Sequence, residues 1–315
     1  MNDDNNQEAG MIYDTIIIGS GPAGLTAAIY ATRAKLNMLV LDKNFISGGQ
    51  MIDTYEVDNY PGIPGVTGMD LGAKFKEHAE ALGAQFVRTK VKSVTRSEQG
   101  TWLIQGKKET YETKTVIYAA GAHHRKLDVP GEDDFSGMGV SYCATCDGAF
   151  YKDMNVVVVG GGNVAVEDAI FLARGSKQVY VVHRRDELRA SKVLQEKLLS
   201  LPNVEMVWDS KVNAIEGSDQ VETVVVENLK DGSVREISAD GIFIAVGITP
   251  DSELLAGLVE MDKSGYIVAD ETCKTSAPGI FVAGDVRTKE LRQIITAAAD
   301  GANAVTSVER YLIEG

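Results

Sequence analysis

Cysteine is scarce in this chain, with three among 315 residues, and two of them, Cys143 and Cys146, stand three positions apart in SYCATCDG. So few cannot build the disulfide framework of a small secreted protein. Basic residues are also in deficit. Lys and Arg total 31 against 45 Asp and Glu, a net charge of −14, so nucleic acid is not expected as the main partner, because phosphate binding needs a basic surface. No apolar run approaches the roughly 18 residues of a membrane span. The leading MNDDNNQEAG is polar and acidic, without the apolar core of a signal peptide. It reads as a disordered tail over residues 1–10, and a cytoplasmic location is expected. In a reducing compartment a CxxC disulfide is catalytic or transient rather than structural.

Glycine, by contrast, is patterned. The apolar YDTIIIG runs straight into Gly19-Ser-Gly21-Pro-Ala-Gly24, the helical LTAAIYATRAK follows, and a second apolar run, NMLVLD, ends on Asp42. Strand, loop and helix are the context that makes a GxGxxG meaningful. The first glycine serves the tight turn, the second lets the backbone approach a pyrophosphate, and the third allows close helix packing. Asp42 stands where a carboxylate accepts hydrogen bonds from a ribose, about 20 residues on. The unit returns as NVVVVG, Gly160-Gly-Gly162-Asn-Val-Ala165, VEDAIFLAR and QVYVVH. The offset is far longer than any solenoid period, so two domains are expected, as the length alone suggests at roughly 150 residues each.

The second unit differs where the difference matters. At the position equivalent to Asp42 stands His183, followed by Arg184, Arg185 and, slightly further on, Arg189. Arginine can bind a 2′-phosphate in bidentate fashion where a carboxylate would repel it. The first loop therefore suits a dinucleotide with a free 2′-hydroxyl and the second suits NADP(H). Near the carboxyl end PGIFVAGD reads as another strand, ending in Gly284-Asp285, and Arg292-Gln293 opens a helix from Ile294. The CxxC spacing admits a reversible disulfide, half of a zinc site or two structural thiols. Zinc would need two further ligands, and neither Cys273 nor the four histidines supply a suitably spaced pair, so no metal is expected.

The ordered set GSGPAG, GGQ at 48–50, CATCDG, GGGNVAVE, HRRDELRA, AGDV and RQIITAAADG resembles the low-molecular-weight bacterial thioredoxin reductases, over nearly the whole chain beyond the first ten residues. The resemblance implies an α/β protein of two Rossmann-like dinucleotide-binding domains of the three-layer ββα type. Residues 11–123 and 249–315 would form a discontinuous FAD domain, with an NADPH domain carrying the CxxC, 124–248, inserted between them. It implies FAD contacts at Gly19, Gly21, Gly24, Asp42, Gly49, Gln50, Asn59, Gly284, Asp285, Arg292, Gln293 and Ile294. NADPH contacts fall on Gly160, Gly162, His183, Arg184, Arg185 and Arg189. Cys146 would be the sulfur nearer the flavin, Cys143 the interchange thiol, and Asp147 the general acid for the leaving thiolate. Such an acid needs a pKa raised by a shielded site.

The expected activity is NADPH-dependent reduction of thioredoxin by a homodimer, with the inserted domain rotating between half-reactions. The same chemistry could serve a glutaredoxin-like or peroxiredoxin-system partner, or a non-enzymatic redox sensor could signal through the disulfide. Asp42 stands where relatives commonly carry glutamate, which keeps the carboxylate. Ile248 stands where some carry histidine, so no nicotinamide contact is assigned there. Cys273 is expected in a turn or strand without redox chemistry, His123 and His124 near the first linker, and Trp102 and Trp208 as packing residues.

Overall fold

The computed structural model describes residues 11–54 and 56–314; the tail expected over residues 1–10 lies outside them. Contacts divide the chain into two compact units. One comprises residues 1–54, 60–123 and 249–315, the other 55–59 and 124–248.

In the first unit, β1 (Ile12–Ile18), β2 (Met38–Asp42), β3 (Phe86–Arg88) and β6 (Thr110–Tyr118) pair in parallel in the order β3-β2-β1-β6. The start of β6 continues antiparallel into β5 (Trp102–Gln105) and β4 (Ser93–Arg96), while its end pairs in parallel with β17 (Ile280–Val282). The unbroken apolar run of β1 is explained by burial on both faces. Ile17 packs with α1 (Pro22–Arg33) and α6 (Ile294–Glu314), through Ala27, Ala304 and Val305. Ile16 and Ile18 face the other way, into a cluster with Val94, Trp102 and Ile104 of the antiparallel strands. The remaining helix, α2 (Gly68–Ala81), is capped by the Thr67 hydroxyl, which accepts from the Asp70 amide.

The second unit repeats the three layers. Its parallel sheet runs β11-β10-β9-β15-β8: Val204–Val207, Gln178–Val182, Asn155–Val159, Gly241–Ile244 and Val140–Ser141. Val156 and Val158 pack on α4 (Asn163–Leu172) and on Leu198 of α5 (Lys192–Leu199). Val157 and Val159 pack on an antiparallel meander of β12 (Ser210–Gly217), β13 (Val221–Asn228) and β14 (Val234–Ser238). Alternating valines thus serve two different layers. The chain is α/β with two Rossmann-like domains of helix, parallel sheet and meander.

Two of the chain's crossings between units, near residues 123 and 249, are joined by strand pairing. β7 (Ala122–His124) pairs with β16 (Ile248–Pro250), flanked by the Asp251 amide on the Gly121 carbonyl at 3.0 Å and the Arg125 amide on the Gly247 carbonyl at 2.9 Å. Among the described residues no helix is long and apolar enough to cross a membrane.

Candidate active site

The first glycine loop is built by close approach. Gly19 has φ +108°, and Gly24 lets α1 lie so near the strand that a Cβ there would come under 3.0 Å from the Gly19 carbonyl oxygen. Gly21 faces Gly49 across the loop; a Cβ on Gly49 would stand 3.1 Å from the Gly21 Cα. The Gly48 amide donates to the Ser20 carbonyl at 2.8 Å, joining the two glycine segments. Asp42 is anchored here too, its Oδ2 accepting from the Ser20 amide at 2.6 Å and the Ser20 hydroxyl at 2.7 Å. No side chain caps α1, whose first residue is Pro22, so its leading amides face outward for an anion. The Gln50 side chain donates to the Ala122 carbonyl. Asn59 is exposed, in the 55–59 segment that groups with the second unit.

The carboxyl-terminal arm meets the same loop. A Cβ on Gly284 would lie 3.0 Å from the Ala23 side chain. Asp285 follows, with its Oδ1 buried and without a hydrogen-bond partner and its pKa raised by burial. A hydroxyl donor would satisfy that orphan acceptor. The Arg292 guanidinium lies over the Tyr266 ring, 4.1 Å from its centroid, and its Nε donates to the Asp285 carbonyl at 3.3 Å. The Gln293 amide donates to the Thr296 hydroxyl at 3.1 Å, and Ile294 begins α6.

Beneath this turn is an ionic cluster that the sequence did not reveal. Asp300, 2% exposed, accepts from Arg287 at 2.8 and 2.7 Å, from Lys289 at 2.8 Å and from the Gly284 amide at 2.9 Å. Its only sequence signal is an acid within an alanine-rich helix. Cys273 packs against it, buried on a turn at φ +61°, its thiol donating to the Asp300 carbonyl at 3.5 Å. Burial and the Asp300 charge push that thiol up to about 12. It has no reactive thiolate.

In the second unit α4 likewise starts at a glycine, Gly162, with no side-chain cap. Gly160 makes the turn. Arg184, Arg185 and Arg189 are exposed, and none of their guanidinium groups has a hydrogen-bond or ionic partner among the described residues. The Arg189 amide donates to the Gly161 carbonyl at 2.7 Å, fixing the arginine segment to the loop. His183 takes a different place. It is buried against Gly161, with Nε2 donating to the Glu187 carbonyl at 3.1 Å, and burial, with the neighbouring arginine charges, lowers its pKa. It supports the loop as a neutral ring.

Cys143 and Cys146 form a disulfide, Cα to Cα 5.3 Å, across the first turn of the short α3 (Ala144–Asp147). Both cysteines are half-buried, and the Thr145 hydroxyl lies 3.5 Å from the Cys143 sulfur. Asp147 follows at once. Burial raises its pKa, although the Ser141 hydroxyl, donating to its Oδ2 at 2.6 Å, pulls the other way. Ser141 also accepts the Cys143 amide at 3.1 Å. On the other side Tyr142 donates to the buried Glu132 at 2.7 Å and stacks on His124 at 5.1 Å. Neither Ser141 nor Glu132 stood out in the sequence. Among the described residues no cluster of His, Cys, Asp or Glu could hold a metal. His123 pairs with Asp251 at 2.8 Å. Trp102 is buried in the core, and Trp208 packs beside the second parallel sheet.

A glycine loop with a strand-end acid, another with free arginines, and a disulfide beside a shielded carboxyl suit electron transfer between dinucleotides and thiols. The sequence matches the pyridine nucleotide-disulphide oxidoreductase family over residues 13–301. A thioredoxin reductase of Peptoclostridium acidaminophilum is 44% identical, the match covering 96% of this chain and 97% of that protein. The solved thioredoxin reductase of Streptococcus pyogenes is 44% identical, with 96% and 99% covered and a TM-score of 0.92. That of Lactococcus lactis, described as an FR conformation, is 41% identical, with 96% and 100% covered and a TM-score of 0.66. This chain belongs to the pyridine nucleotide-disulphide oxidoreductases and, within them, to the thioredoxin reductases.

Proposed function

We propose that the protein reduces the disulfide of thioredoxin at the expense of NADPH, through FAD and the Cys143–Cys146 pair. The observation that carries this reading is that pair, beside Asp147, in the same unit as the arginine-flanked loop. FAD fits the first unit: Gly19, Gly21, Gly24 and Gly49 leave a bare backbone for the pyrophosphate. Asp42 and the orphan oxygen of Asp285 offer acceptors for hydroxyl groups, with Gln50, Arg292, Gln293 and Ile294 completing the contacts within that unit. NADPH fits the unit of 124–248, with Gly160 and Gly162 at the pyrophosphate, Arg184, Arg185 and Arg189 on the 2′-phosphate, and His183 beneath the loop. Bound together, the two cofactors supply hydride acceptance and the passage of an electron pair.

The chain's own residues then do thiol chemistry. With both sulfurs reduced, the Cys143 thiolate attacks one sulfur of the thioredoxin disulfide, and the other thioredoxin sulfur leaves as a thiolate. Cys146 next attacks Cys143, closing the disulfide and releasing the second thioredoxin sulfur. Asp147, whose pKa its shielded site raises, gives a proton to a departing thiolate. The balance is NADPH, one proton and oxidised thioredoxin to NADP and the dithiol.

The inserted unit reorients between half-reactions on the paired crossings at β7 and β16, and the enzyme works as a homodimer in the cytoplasm. Support for the motion comes from two solved relatives of nearly equal identity, whose TM-scores of 0.92 and 0.66 mean that they differ from one another. The test is NADPH oxidation by flavin-loaded protein against a panel of thioredoxin-fold disulfides, with the released chromophore identified. Rapid flavin reduction with no turnover on any thioredoxin would reject the substrate; absence of flavin after reconstitution would reject the whole reading.

A further inference from the structure

Ser141 is 5% exposed and carries one hydroxyl hydrogen, for which the structure provides two acceptors. One is Asp147 Oδ2 at 2.6 Å; the other is the Cys143 carbonyl at 3.4 Å. Its oxygen meanwhile accepts the Cys143 amide at 3.1 Å. The same small side chain therefore touches the backbone of the redox pair on both sides of Cys143 and the carboxyl of Asp147. We propose that Ser141 is a positioning residue that couples the Asp147 proton to the redox loop: its hydrogen points to Asp147 when the carboxylate is charged and turns to the Cys143 carbonyl when the carboxyl is protonated.

The chemistry of the two states favours the turn. An ionised carboxylate is the stronger acceptor, and a hydrogen bond to it is charge-assisted. Once Asp147 binds a proton that advantage falls, and the free hydrogen has the peptide carbonyl within reach. When Asp147 transfers its proton to a leaving thiolate, an O–H bond breaks, an S–H bond forms, and the Ser141 hydrogen returns to the new carboxylate. No electrons move in this step. The other ionisable groups on elements packed against α3 are Tyr151, and Glu167 and Asp168 on α4; none donates a hydrogen bond to Asp147 among the described contacts. Among the described residues Ser141 is thus the one donor to the charged form, and the mechanism rests on the reading of Asp147 as general acid.

The experiment is carboxyl and carbonyl carbon-13 NMR of the oxidised holoprotein, labelled at aspartate and cysteine, with Asp147→Asn assigning the resonance. In Ser141→Ala the Asp147 pKa should rise by about one unit, the worth of one hydrogen bond to a charged group. In the native protein the Cys143 carbonyl shift should titrate together with Asp147; in Ser141→Ala it should not. Ser141→Thr, which keeps a hydroxyl, should restore both signals. The basic limb of turnover against pH should move up with the Asp147 pKa in Ser141→Ala while the KM for NADPH holds.

An unchanged Asp147 pKa in Ser141→Ala, or a Cys143 carbonyl blind to the titration, overturns the proposal. Should Ser141→Ala fold poorly, Ser141→Cys keeps a weak donor and must give an intermediate shift. Separately, if Asp147→Asn leaves the basic limb intact while the NMR coupling is present, the general-acid role fails and the Ser141 coupling stands.

Discussion

Replacing Gly162 with alanine separates binding from folding. Gly162 caps α4 at φ −87° and ψ −179°, a backbone that any residue adopts, and a Cβ there meets no heavy atom within 4 Å. Two local effects oppose one another. Alanine is a poorer N-cap than glycine, by about 0.5–1 kcal/mol, while the variant's stiffer unfolded chain favours folding by about 0.4–1 kcal/mol. They cancel to within about 1 kcal/mol, or roughly 2–4 °C in Tm. Binding is another matter, because at the proposed NADPH site the added methyl would stand where the loop approaches the pyrophosphate. Loss of one charge-assisted amide contact costs about 1.5–3 kcal/mol, so the Kd for NADPH should rise roughly 10–100-fold. Thermal unfolding and an NADPH titration of the holoenzyme read the two quantities separately. Unchanged affinity would remove Gly162 from the nucleotide site, and a Tm loss beyond about 5 °C would sink the steric argument. Gly24→Ala is the control, since its methyl collides with backbone and should destabilise by about 1–3 kcal/mol or more.

Other perturbations test separate parts of the molecule. Replacing both Arg184 and Arg185 with alanine should reduce the preference for NADPH over NADH at least tenfold, by about 1.5–3 kcal/mol per lost contact. Tm should not change, because neither guanidinium holds a partner among the described residues. Cys146→Ser should trap an activated thioredoxin disulfide as a mixed disulfide through Cys143. Trapping by Cys143→Ser alone, read by mass spectrometry, would show the two sulfur roles reversed. Asp300→Asn leaves two buried cations short of a counter-charge and should cost about 3–5 kcal/mol in urea unfolding. Burial alone would raise the Asp300 pKa, but the bonds from Arg287 and Lys289 outweigh it and hold it low. The cluster's stability is therefore complete above the unfolded carboxyl value of about 3.9 and is lost as pH falls through the folded value. Acid titration should lose a step in Asp300→Asn below about pH 4.

Both glycine loops were legible because their constraint is local. A tight turn, a close backbone approach and a helix start fall within six residues, and the flanking valines and isoleucines mark a strand buried on both faces. The disulfide was legible as a spacing. Its surroundings were not. Ser141 is one serine among many until β8 and α3 bring its oxygen to Asp147. Glu132 reads as a surface acid in GEDDF, yet it is buried and accepts the amides of Leu127 and Asp128 together with the Tyr142 hydroxyl. His183 reads as part of a cationic run, because sequence cannot show that β10 ends by turning its ring under the glycine loop while the next two side chains face solvent.

Asp300 shows why a charge belongs in that core. The crossing of α6 on α1 is made by small residues: a Cβ on Gly301 would come under 3.0 Å from the Ala23 carbonyl, and Ala27 and Ala304 fill the cluster beside it. Alanine against alanine packs closely but carries little information about register, since a helix displaced by one turn presents much the same surface. Asp300 has no such tolerance. Its carboxylate must meet Arg287, Lys289 and the Gly284 amide together, and a shift of α6 by one turn, about 5.4 Å, would take that shared acceptor from all three and leave Asp300 itself without them. An unpaired buried charge costs several kcal/mol, more than small-residue packing could return. The cluster thus makes a featureless helix crossing specific. Through the Gly284 amide the same carboxylate sets the turn that presents Asp285, so the register of the last helix and the placement of that buried acid are fixed by one group.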